Sequence, residues 1–193
     1  MQLALIALLP LAGAVLPMLA IRAGRNVCTA VTAAVSLCSL LVLVANTPAV
    51  LEGQIVHVGA DWVPAIGLSF RFFLDWLGLF FAGLILAIGV LVIVYSRFYL
   101  ERDDSMGRFF ACLLLFQGAM LGIVISDNVL LLVVFWELTS LSSFLLIGYW
   151  HHLPEGRQGA RMALVVTGSG GLLLMAGMLL LGQAAGSYEL TEI

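Results

Sequence analysis

The sequence predicts an all-α membrane protein of about six transmembrane helices, its N-terminus outside, with a small β-hairpin in the outer loop after the second helix. Three observations predict it. Of 193 residues, 63% are hydrophobic and only 10% charged, outside the balance of a soluble domain and typical of a polytopic membrane protein. Apolar runs occur near residues 2–21, 27–46, 74–96, 109–126, 129–150 and 160–182, each close to the ~20 residues that cross a bilayer. The chain has eight basic residues, all arginine, and seven of them fall in alternate connections.

The first run precedes its positive charges, Arg22 and Arg25, instead of following them. That is the reverse of a signal peptide, so the run reads as a retained span. Pro10 and Pro17 predict kinks in it, tolerated where neighbours satisfy the freed carbonyls. Arg22 and Arg25 lie in the first connection, Arg97, Arg102 and Arg108 in the third, Arg157 and Arg161 in the fifth, and only Arg71 on the opposite side. Basic residues mark the cytoplasmic side, which puts both chain ends outside. The long second connection, 47–73, holds two short apolar-rich segments, 54–58 and 68–72, separated by Gly59, Asp61, Pro64 and Gly67. Leu68, Phe70 and Phe72 alternate with Ser69 and Arg71, as in a half-buried strand of a hairpin. Trp62 and Trp76 are expected at the membrane interface, where aromatic rings are favoured.

Asp75 is expected to cap the third span, and Asp127 and Asn128 the fifth. Glu101, Asp103 and Asp104 join the arginines of the third connection in a solvated cytoplasmic loop. On the sixth span Ala163, Thr167 and Gly171 recur every four residues, with Gly168 and Gly170 beside them. This small-residue face predicts close helix packing; a sharper reading has it leave room for water beside an ion path. The stretch from Ser187, Ser-Tyr-Glu-Leu-Thr-Glu, reads as the start of a further helix with acids in its first turn. The 193 residues are therefore expected to form a single transmembrane domain, the N-terminal part of a longer subunit.

Cys28, Cys38 and Cys112 lie in or at the ends of apolar runs and form no metal-ligand spacing; they read as small apolar residues. The chain carries no phosphate loop, dinucleotide fingerprint, nucleophile elbow or zinc motif. No basic face suggests nucleic acid. No cofactor and no metal are implied, and no motif of an enzyme active site is present.

Glu137 is the residue that asks for an explanation. It stands inside the uncharged run Val129–Trp150, about nine residues from the expected helix start. At ~1.5 Å per residue that is roughly 14 Å deep, near the midplane of a ~30 Å hydrocarbon core. An ionised carboxylate there costs several kcal/mol or more unless protonated, paired or wetted, and an intramembrane acid is a candidate for proton or cation handling. The plainer alternative is structural glue between helices. Ser140 and Ser143 follow on the same helix, near enough to hold water for a relay, although such hydroxyls more often bond their own backbone. His151 and His152, at the cytoplasmic end of the span, titrate near neutrality and are candidates to feed protons inward. Asp127 is a candidate outer port.

The stretch from Ser126 to Trp150, SDNVLLLVVFWELTSLSSFLLIGYW, resembles the fifth helix of the antiporter-like subunit of type A of Mrp-type monovalent cation/proton antiporters. More broadly it resembles the antiporter-like membrane subunits of respiratory complex I. Thr139, Ser140 and Ser142 favour the antiporter form over the glycine-rich complex I variant. The resemblance implies coupled exchange of protons for Na⁺ or another monovalent cation, inside a hetero-oligomeric complex of membrane subunits in the prokaryotic cell membrane. It implies that Glu137 is a proton-relay residue paired with a lysine on a seventh helix; this chain contains no lysine. Two rivals stay open: a proton-pumping subunit of a complex I-like oxidoreductase or membrane hydrogenase, and a non-transporting scaffold. A movable cation beside a buried carboxylate makes a switch, because desolvation favours the neutral acid and an approaching cation favours release of its proton.

Overall fold

The computed structural model describes residues 2–193. Its elements, in chain order, are α1 (Leu5–Gly13), α2 (Leu16–Ala20) with a 3₁₀ turn at Ile21–Ala23, α3 (Arg25–Leu51), β1 (Val56–Val63), β2 (Leu68–Leu74), α4 (Trp76–Tyr99), α5 (Met106–Ile125), α6 (Val129–Ile147) and α7 (Pro154–Ala185). With α1, α2 and the 3₁₀ turn taken as one broken span, six helical segments are long and apolar enough to cross a membrane.

The first span breaks at Ala14–Val15, between its two prolines. Pro17 has no N–H to give the carbonyl of Gly13, and Pro10 none for Ile6, so the helix loses two rungs within two turns. α5 is the central helix, packing against α1, α3, α4 and α6, while α7 packs against α6. The core divides in two. Leu43, Phe72, Leu86, Leu121, Ile125 and Phe135 belong to a cluster at the hairpin end. Cys28, Ile93, Met106, Phe110 and Tyr149 form another at the arginine end.

Several element bounds differ from those read off the sequence. α3 runs past 46 to Leu51, carrying Pro48 in its last turn. α6 ends at Ile147 rather than 150, and α7 begins at Pro154 rather than 160. Pro154 at the first helical position starts α7 early, because it needs no N–H partner there. Arg157 and Arg161 thus ride on the helix and not in a loop. The segment after Gly186 is not the start of a helix. Gly186 adopts a left-handed φ of 79° and closes α7, its N–H donating to Gly182 O at 2.9 Å. The chain then turns back, and Glu189 bridges to Asn128 as in a sheet.

The hairpin is present, with β1 shifted to Val56–Val63 and paired antiparallel with β2. Trp62 is skipped in the register and stands 57% exposed; Trp76 is 56% exposed. Phe72 and Leu74 bury against the bundle, Phe72 lying 6.2 Å from the Phe135 ring of α6. The opposite face of β2 is not free, contrary to a one-sided alternation: Ser69 is buried because it donates to Glu189 at 2.5 Å.

Hairpin, helix ends and C-terminal segment gather Asp61, Arg71, Asp127 and Glu189 at one end of the bundle. At the other end Arg25 donates to the carbonyls of Leu100 and Glu101, each at 2.6 Å, and Arg97 donates to Asn26 at 2.7 Å.

Candidate functional site

α6 is 19 residues of almost uniformly apolar sequence, and Glu137 is its ninth. It begins cleanly because the Asn128 side chain accepts from the N–H groups of Leu130 and Leu131 at 3.0 and 3.1 Å. Asn128 is the sole side-chain cap; Asp127, expected to share the role, is turned away to other donors. From Val129, eight rises of ~1.5 Å put Glu137 about 12 Å along a helix of about 28 Å. Glu137 thus falls near the middle of α6.

What surrounds the carboxyl group could not be read from the sequence. Glu137 makes no hydrogen bond or ion pair with any described residue, and its Oε1 is buried. The atom lies directly over Gly171 of α7: a Cβ built there would overlap Oε1 and stand 2.9 Å from Glu137 Cδ and 3.4 Å from Trp136 Cδ1. The small-residue face of α7 is therefore not the one the spacing suggested. Thr167 is exposed and its hydroxyl donates to its own Ala163 carbonyl at 2.8 Å. The buried row is Ala160, Gly171 and Gly182, positions eleven residues, or about three turns, apart.

The serines after Glu137 donate to their own helix. Ser140 reaches Trp136 O at 3.4 Å, Ser142 reaches Leu138 O at 2.7 Å, and Ser143 reaches Ser140 O at 2.9 Å. Their protons are committed to the backbone, which leaves lone pairs to accept from a water or a protonated acid. His151 and His152 lie beyond α6, exposed, in the turn before α7. His151 Nδ1 is 3.3 Å from Arg108, whose guanidinium also donates to Tyr149 O.

Asp127 is buried at the hairpin end and well partnered. Its Oδ1 and Oδ2 accept from Thr191 N and Oγ1 at 3.1 and 3.0 Å, and its backbone N–H donates to Arg71 O at 3.0 Å. His57 approaches Oδ2 at 3.8 Å. Beside it, Glu189 Oε1 accepts from Ser69 and from Asn128 at 3.2 Å and lies 3.9 Å from Arg71 Nε. Arg71 is held more firmly in its charged form by its hydrogen bond to Asp61 and then by the charge of Glu189. Nothing in the sequence brings residues 57, 61, 71, 127 and 189–191 together.

A second polar contact escaped the sequence reading. Gln117 is 3% exposed in the middle of α5, accepting from Ser36 of α3 at 2.7 Å and donating to Ile85 O of α4 at 3.4 Å. Gly89 of α4 leaves room for its amide. Gln117 and Glu137 lie ten residues either side of Asp127, so in antiparallel neighbours they share a depth, on different sides of α5. A lone amide in an apolar run was the available signal.

Known proteins resemble this chain in sequence and in fold. The family described as "NADH-Ubiquinone oxidoreductase (complex I), chain 5 N-terminus" matches residues 62–110. The family "NADH:quinone oxidoreductase/Mrp antiporter, TM" matches residues 126–193. The chain is 46% identical over 186 residues to the A/B-type subunit of a probable K⁺/H⁺ antiporter of Rhizobium meliloti, a match covering 96% of the chain and 19% of that protein. It is 44% identical over 151 residues to the A1-type subunit of a Na⁺/H⁺ antiporter of Staphylococcus aureus, covering 78% and 18%. The chain thus spans about a fifth of the length of these curated relatives. Its fold matches a chain of the Mrp complex from Dietzia with a TM-score of 0.82 at 30% identity, over 99% of this chain and 20% of that one. It also matches a chain of an archaeal membrane-bound sulfane sulfur reductase at 0.80 and 19% identity, over 100% and 29%, a likeness of fold alone.

Proposed function

Because the chain belongs to the NADH:quinone oxidoreductase/Mrp antiporter family of membrane subunits, we propose that it forms the proton-handling part of a monovalent cation/proton antiporter. It works within a multisubunit complex of the prokaryotic cell membrane. Glu137 is the group that takes up and gives off the proton. The observation that carries this reading is the Oε1 of Glu137, buried at the middle of α6 with no donor among the described residues. A buried acceptor without a donor is costly. The cost is relieved by a proton on the acid itself, by water, or by a cation brought alongside, and exchange among those three states is what a proton carrier does.

The lysine expected from the family resemblance supplies the cation in this reading. The orientation is the one the arginines suggest, with the Arg25, Arg97 and Arg102 end in the cytoplasm and the hairpin end outside. Ser140 and Ser143, whose oxygens still accept, pass the proton along α6 toward His151 and His152. Asp127 holds the C-terminal segment, and its port role stays secondary to that clasp. The exchanged cation is Na⁺ in the sequence-based reading. The K⁺ and Na⁺ names of the two relatives make K⁺ the competitor, and among the described residues no cage of oxygens beside Glu137 favours either.

The experiment is cation-driven proton movement in inverted vesicles carrying the complete native complex, wild type against Glu137→Gln. Glutamine keeps the shape and removes the titrating proton. Loss of both Na⁺- and K⁺-driven exchange with assembly intact is the expected result; unimpaired exchange makes Glu137 structural. A wild type that shows no cation-linked exchange but pumps protons on addition of an electron donor belongs to the redox class instead.

A further inference from the structure

The seat of Glu137 has a wall with no side chain. α7 carries seven glycines, and three of them have open space where a side chain would go: nothing lies within 4 Å of a Cβ built at Gly168, Gly170 or Gly177. Gly171 is different, since it is buried and its missing Cβ is the volume that Glu137 Oε1 occupies. It also differs from a glycine that simply lets two helices touch. At Gly118 a Cβ would meet backbone, Ala7 O at 2.9 Å, along with the Leu11 side chain at 2.7 Å. At Gly171 the three nearest atoms are all side-chain atoms, two of them at the end of Glu137 and one on Trp136. The backbones of α6 and α7 therefore have room for a methyl group. What lacks room is the carboxyl group in its present place.

We propose that Gly171 is a positioning residue for Glu137: the absent side chain forms the seat that keeps Oε1 buried at mid-depth between α6 and α7. A methyl group there swings the carboxyl group out of the seat while leaving the helices packed. Proton exchange depends on donor and acceptor meeting at hydrogen-bond distance, so a carboxyl group moved by about 1 Å reacts far more slowly. This inference rests on the proton role proposed for Glu137.

The test uses the complete complex in inverted vesicles with Glu137→Gln, Glu137→Asp, Gly171→Ala, Gly170→Ala and the double variant Gly171→Ala/Glu137→Asp. The seat predicts that Gly171→Ala slows exchange about 10- to 100-fold in a normally assembled complex, while Gly170→Ala matches wild type. It also predicts that Asp, one methylene shorter, clears the new methyl group, so the double variant exchanges faster than Gly171→Ala. That rescue is not expected of a defect in helix packing. Wild-type exchange in Gly171→Ala with none in Glu137→Gln overturns the seat and leaves the proton role standing. Slow exchange without rescue by Asp overturns it too, assigning Gly171 to packing. Wild-type exchange in Glu137→Gln removes the proton role and the seat with it. If Gly171→Ala does not assemble, the double variant decides: assembly with exchange supports the seat, and failure to assemble overturns it.

Discussion

Asp127 and Glu137 are ten residues apart, both carboxylates set in apolar sequence, and they live in opposite company. Asp127, at the mouth of α6, has two donors from Thr191, a histidine at 3.8 Å and the hairpin strand alongside. Glu137, three turns further along, has Gly171 against its Oε1 and no donor among the described residues. The first environment compensates the carboxylate and in return ties three segments of chain together. The second offers Oε1 no donor among the described residues and sets it against Gly171 of the facing helix. A satisfied buried charge does structural work; in the proposed function the unsatisfied group is the one that exchanges its proton or its partner.

The widest separation between the two sites is expected in exchange. Glu137→Gln loses about 100-fold or more, the range of a removed proton-transfer group, with little change in the thermal stability of the complex because it breaks no hydrogen bond. Asp127→Ala is expected to do the reverse. It strands the Thr191 donors and costs about 1–3 kcal/mol, read as a lower unfolding midpoint of the complex, while exchange per assembled complex holds. Exchange lost at unchanged stability would move Asp127 from clasp to port. Smaller still, Gln117→Leu takes the acceptor from the Ser36 hydroxyl and costs about 1 kcal/mol, seen as a modest thermal shift; a loss of exchange there would extend the polar path across α5. Smallest is Arg71→Gln. Its ion pairs with Asp61 and Glu189 are partly exposed, so the loss is under about 1 kcal/mol and shrinks as salt is added.

Depth was legible in the sequence and azimuth was not. The existence of six apolar helices follows from run length against bilayer thickness, and the place of Glu137 along α6 from counting residues after Asn128. The hairpin followed from two apolar-rich segments around Gly59, Pro64 and Gly67. Which side of a helix faces which neighbour depends on packing across the bundle. The fourfold spacing of Ala163, Thr167 and Gly171 pointed to one face, yet α7 buries Ala160, Gly171 and Gly182 instead, rotated so that Thr167 looks outward. Gly171 belongs to both rows, and only the contact with Glu137 shows why it matters. Contacts across long stretches of chain were equally out of reach. Thr191 meets Asp127 across a sequence separation of 64, and the acids after Ser187 read locally as a helix start, whereas Glu189 accepts from Ser69 and Asn128 and Glu192 from Ser187.

The central claim is that the Glu137 carboxyl group itself changes protonation during exchange. Infrared difference spectroscopy of the purified complete complex, recorded as the driving cation is added and removed, reads this directly through the carbonyl stretch of a protonated carboxyl group. The account predicts a cation-dependent band in the wild type that shifts on deuteration and is absent in Glu137→Gln. A band that survives unchanged in Glu137→Gln, in a complex that still exchanges, would contradict it.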